Sequence, residues 1–140
     1  MSTLASTRPA RLTPSPLLRF AIRLDGVCSL LAGLATLAGA GLVARWLGLA
    51  ESATLGLGLF MAGYGGLLLW LGVQRRVWAV LPQLLSYGNG AWAVLSVMVT
   101  ALGWLGVGPA GQALMLGQAA LVGLFAVLQG LGGRSSPPAQ

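Results

Sequence analysis

Long uncharged runs, broken by arginines and by one glycine–proline turn, set the layout of this chain. The first runs from Gly26 to Ala44, 19 residues without a charge. About 20 apolar residues, rising 1.5 Å each, cross the hydrocarbon of a bilayer. The helix is expected to begin earlier, near Pro16, because proline suits the first helical position. Leu17 to Asp25 then form interfacial turns from which Arg19 and Arg23 reach the headgroups. A second run, Ser52 to Gln74, opens on Glu51 and Ser52, which offer a cap and a favourable charge for the helix dipole. Arg75 and Arg76 close it. From Val77 to Gly133 no residue is charged. That stretch exceeds one span, and Gly106-Val-Gly-Pro-Ala-Gly111 marks the turn that divides it.

The pattern predicts an all-α fold, a bundle of four transmembrane helices near 17–44, 52–74, 78–105 and 110–131. Pro82 falls early in the third helix, where it is tolerated. Residues 1–16 and 134–140, rich in Ser, Thr and Pro, are expected as flexible cytoplasmic tails around one transmembrane domain, 17–133. Small residues before Arg45 give the first run one feature of a cleaved signal, but it is longer than the about 7–15 apolar residues of such a segment.

Composition agrees with this layout. The chain has 140 residues, 56% hydrophobic and only 7% charged. A soluble domain carries about 25% charged residues, because its surface must face water; most of this surface must face lipid. The formal charge of +6 comes from eight basic residues, all arginine, against Asp25 and Glu51. Their placement sets the expected topology. Arg8, Arg11, Arg19, Arg23, Arg75, Arg76 and Arg134 fall on one side and Arg45 alone on the other. By the positive-inside rule both termini are expected in the cytoplasm. Trp46 and Trp104 fit the outer interface and Trp70 and Trp78 the inner one, whereas Trp92 falls near mid-membrane. The arginines form no basic stripe, so no nucleic-acid partner is expected. The chain has no histidine and one cysteine, Cys28. This argues against a haem, a metal site or a redox dithiol, and no cofactor is expected.

Helices in lipid associate through small residues and a few polar contacts. Each span offers such a stripe: Asp25, Ser29, Ala32, Thr36 and Gly39; Gly58, Ala62 and Gly66; Ser86, Asn89, Ala93, Ser96 and Thr100; Ala119, Gly123, Ala126 and Gly130. Their spacing near 3.5 is the seam of a left-handed bundle. Asp25, Gln83, Ser86, Tyr87, Asn89 and Gln129 share the cytoplasmic half and are candidates to line a polar cavity. Asp25 leads, because an ionisable group inside a membrane is costly and by default functional. It faces away from Arg19 and Arg23, so the expected partner for an interhelical ion pair is Arg75 or Arg76. The candidate ligand or ion pathway is Asp25, Ser29, Gln83, Tyr87, Asn89 and Trp92. Cys28 reads as a small buried hydrophobe.

Gly65-Gly-Leu-Leu-Leu-Trp-Leu-Gly72 followed by Arg75 resembles the second-helix signature of DoxX-like proteins. Those are small bacterial four-helix membrane proteins, some linked to quinone-coupled sulfur oxidation or to membrane oxidoreductase complexes. The acid that often precedes the glycine pair there has no counterpart here, where Gly63 and Tyr64 stand. The resemblance and the use of arginine in place of lysine imply a bacterial inner-membrane protein. Three roles are expected, in order. The first is a non-enzymatic accessory or scaffold subunit, in a homo-oligomer or a larger membrane complex, because paired carboxylates, a nucleophile–base set and a phosphate loop are all missing. The second is a small transporter or channel using Asp25. The third is a quinone- or lipid-binding protein with Trp92, Tyr87 and Asn89 at the site.

Overall fold

A computed structural model describes residues 10–140 of the chain. Four of its helices are long and apolar enough to cross a membrane. The first, α1 (Pro16–Ala38), begins where the sequence indicates: Ser15 caps it, accepting from the Leu18 amide at 3.2 Å, and Pro16 sits in its first turn. It ends at Gly39, six residues short of Arg45. A separate short helix, α2 (Ala40–Leu47), follows and buries Ala40, Ala44 and Leu47 while leaving Arg45 and Trp46 exposed. Gly48 ends α2 in the left-handed region, φ 64°, which a side chain would strain. The remaining helices are α3 (Glu51–Val73), α4 (Leu81–Ala101) and α5 (Pro109–Arg134).

Two antiparallel pairs make up the bundle. α1 packs chiefly on α3, and α4 chiefly on α5; contact between α1 and α5 joins the pairs. The order across the molecule is therefore α3, α1, α5, α4. α3 and α4 stand at the two ends of this row and share little contact.

Where α1 meets α3, glycines let the backbones touch. A Cβ on Gly33 would strike the Ala62 amide, and one on Gly65 the Leu30 amide. Gly26 and Gly58 are nearly as tight, each within 3.2 Å of a partner-helix carbonyl or side chain. These residues recur every seven positions on both helices, and they correct the expected stripes. Gly65, not Gly66, carries the α3 contact; Gly66 faces open space. On α1 the buried residues are Leu18, Ala21, Ile22, Asp25, Gly26 and Gly33, while Ala32 is exposed. The α4 and α5 stripes lie as expected: Asn89 and Ser96 are buried on α4, Ala119 and Ala126 on α5, and Ser86 approaches Gly130.

The expected loose tails differ most. Residues 1–9 lie outside the described residues, but the chain on either side of the bundle is paired. β1 (Arg11–Leu12) runs antiparallel to β2 (Val77–Trp78), with Leu12 opposite Val77 and Arg11 opposite Trp78. On its other side Leu12 bridges Pro138, and the Thr13 amide donates to the Pro137 carbonyl at 2.9 Å. Ser15 also donates to the Gly132 carbonyl at 2.9 Å. Both terminal segments and the α3–α4 turn therefore meet at one end of the bundle. The physical reason is burial: Leu12 and Val77 pack into one cluster with Leu18, Ile22, Leu68, Leu71, Leu81 and Leu85. Removing that apolar area from water favours the pairing.

Candidate functional site

All four long helices line a cavity of about 270 Å³, with α3 and α4, the two ends of the row, on facing sides of it. One wall is α3, which presents Phe60 and Tyr64 one turn apart, their rings stacked with centroids 6.1 Å apart. The facing wall is α4, with Leu84, Leu85, Gly88, Asn89 and Trp92. Gly88 leaves a gap there, since a Cβ at this position would meet nothing within 4 Å. α1 contributes Asp25 and Ser29, and α5 contributes Gln118 and Val122.

Asp25 is 1% exposed and sits at the junction of three helices. One carboxyl oxygen accepts from the Ser29 hydroxyl at 3.0 Å. The other accepts from the Asn89 amide at 2.7 Å and the Gln129 amide at 2.8 Å. Asn89 also donates to the Gln129 carbonyl oxygen at 2.9 Å, and its own oxygen accepts from the Tyr64 hydroxyl at 3.5 Å. One polar network thus engages all four long helices. Among the described residues no buried side-chain nitrogen or oxygen lacks a partner, which is the condition under which polar groups are tolerated away from water.

The expected ion pair of Asp25 with Arg75 or Arg76 gives way to these neutral partners. Register explains it. Gly26 lies against Gly65, so Arg75 is ten residues farther along, roughly 15 Å at the helical rise. Arg75 and Arg76 are exposed in the turn after α3. The arginine that does reach α3 is Arg23, whose Nε donates to the Gly72 carbonyl at 3.0 Å.

The other candidates divide by helical phase. Ser29, Asn89 and Trp92 reach the cavity with Asp25. Gln83 and Tyr87 do not: both are exposed, Tyr87 at 75%. Two residues along a helix turn a side chain by about 200°, so Tyr87 points away from the face carrying Asn89. Trp92, out of place as an interfacial anchor, has a partner on the neighbouring helix α5. Its indole donates to the Gln118 oxygen at 2.9 Å, and the Gln118 amide donates to Ser96 at 2.7 Å.

Sequence reasoning passed over Tyr64, Phe60 and Gln118 as site residues. Gln118 carried a usable signal, being an amide in the middle of an apolar span. Cys28 is a half-buried free thiol. The described residues hold no group of His, Cys, Asp and Glu that could bind a metal. No protein-family model matches this chain, and neither a curated protein nor a solved structure matches it.

Proposed function

We propose that the protein is a membrane-embedded binding protein for an amphipathic molecule dissolved in the bilayer, a quinone or a lipid, which reaches the cavity sideways between α3 and α4. The observation that carries this reading is the cavity itself. Its walls are mostly apolar and aromatic, it lies between two helices that share little contact, and hydroxyl and amide groups converge on it. Such a combination is the general form of a small-molecule site. Tyr64 and Ser29 supply hydroxyls suited to a polar head, and Phe60 and Trp92 supply rings for a planar or chain-like body.

The likeness of Gly65–Gly72 and Arg75 to DoxX-like proteins, some tied to quinone chemistry, points the same way. The arginine distribution supports a multi-pass protein of the bacterial inner membrane whose paired terminal segments face the cytoplasm. The cavity puts binding ahead of the accessory-subunit role, which rests on missing catalytic motifs alone.

Gly88→Leu tests the reading, because it fills the cavity from a position with free space around it. Detergent-purified wild type and variant are screened by melting temperature against menaquinone and ubiquinone analogues and diazirine-bearing lipids. Photo-cross-links are mapped by mass spectrometry. A quinone or lipid is expected to raise the wild-type melting temperature and cross-link near Tyr64 or Trp92, with both effects lost in Gly88→Leu. Equal responses in the two proteins would sink the proposal.

A further inference from the structure

A second, smaller pocket lies outside this cavity, at the end of the bundle where the terminal segments meet. It encloses about 110 Å³ and is lined by Arg11, Trp70, Gln74, Arg76 and Trp78 over a floor that includes Val77. The local structure explains why these residues converge. Arg11 and Trp78 are direct partners in the β1–β2 register, and opposed residues of a strand pair project from one face. Trp70 lies in the last turn of α3, and the Gln74 amide donates back to its carbonyl at 3.2 Å. Trp70 and Trp78 are each more than half exposed, the disposition of indoles at a membrane interface.

The charge here lacks a side-chain counter-ion. The chain has two acidic side chains. Asp25 is taken up by Ser29, Asn89 and Gln129. Glu51 stands at the start of α3, and the pocket lies at the far end of that 23-residue helix. Two guanidiniums line this pocket and no carboxyl side chain of the described residues does, so the pocket suits an anionic group. Guanidinium forks match phosphate oxygens in geometry as well as charge.

We infer that this pocket binds the phosphate of an anionic phospholipid, with Arg11 and Arg76 on the phosphate oxygens and Trp70 and Trp78 beside the glycerol backbone. A lipid fits better than a free anion because the pocket lies at the last turn of a membrane-length helix, between two exposed indoles. Basic pockets at the ends of membrane helices bind anionic lipid headgroups in other proteins. The inference stands apart from the proposed function, since the two pockets share no lining residue.

The test titrates the delipidated full chain in detergent with short-chain phosphatidylglycerol, phosphatidylcholine or inorganic phosphate. Native mass spectrometry counts adducts. Phosphatidylglycerol is expected to bind more than about tenfold tighter than phosphatidylcholine, and Arg11→Gln or Arg76→Gln to cost about fivefold each. Both side chains are exposed, so folding is expected to survive either change. Arg45→Gln, at the opposite end, is expected to leave binding unchanged. Equal binding of the two lipids, or an equal loss in Arg45→Gln, would overturn the site. If inorganic phosphate competes as well as phosphatidylglycerol binds, the assignment to a lipid fails.

Discussion

The two helix pairs of this bundle hold together by different means. Between α1 and α3 the backbones touch at Gly26, Gly33, Gly58 and Gly65, and the side chains of these spans make one hydrogen bond across the seam, from Arg23 to Gly72. Between α4 and α5 polar groups do the linking: Ser86 to the Ala126 carbonyl at 2.7 Å, Asn89 to Gln129, and Trp92 and Ser96 to Gln118. In lipid no hydrophobic force draws helices together, so close approach and hydrogen bonds are the available routes. The difference has a functional consequence. The glycine seam joins α1 and α3 without engaging Asp25, Ser29 or Tyr64, which face the cavity, whereas the polar seam itself lends Asn89 and Gln118 to the cavity wall. Both pairs therefore face the cavity, the first with side chains its seam does not use and the second with side chains that also hold its helices together.

Three substitutions sharpen this contrast, each read as a shift in reversible unfolding in a detergent–SDS titration. The largest effect is expected from Gly33→Val. Its side chain would meet the α3 backbone at Ala62, and overpacking where backbone cannot move costs about 3 kcal/mol or more. A loss below about 1 kcal/mol would mean that the α1–α3 seam is not close-packed.

Asn89→Leu is expected to rank second, at about 2 kcal/mol. It removes a donor from both Asp25 and Gln129 and leaves those buried oxygens short of partners. Hydrogen bonds between helices in a membrane average only about 0.6 kcal/mol, so a loss that small would mean that the network repairs itself, for example with water in the cavity. Gly66→Ala should be the smallest and opposite in sign. It sits one residue beyond Gly65 but faces open space, and the better helix propensity of alanine should add about 0.5 kcal/mol. Destabilisation by this change would shift the α1–α3 seam by one residue and undo the contrast.

The four membrane-length helices, the helix start at Pro16, and the α4–α5 stripe were legible because each depends on a local pattern: an apolar run, a proline suited to the first helical position, or small and polar residues spaced along an otherwise bulky helix. Depth in the membrane groups Tyr87 and Gln83 with Asn89, but helical phase leaves both exposed and outside the cavity lining. The α1–α3 stripe was harder to place. Both helices carry so many glycines and alanines that several faces look alike, and the partner's register selects among them.

The sequence by itself therefore determined how many membrane-length helices there are, that they suit a bilayer, and which residues are polar enough to need partners. Only the tertiary structure decided that Asp25 meets Asn89 and Gln129 instead of an arginine, that a strand at Leu12 finds Val77 and Pro138, and that α3 and α4 stand apart to leave a cavity. Those are relations between residues distant along the chain. No local pattern records them, because their energy exists only once the helices have chosen their neighbours.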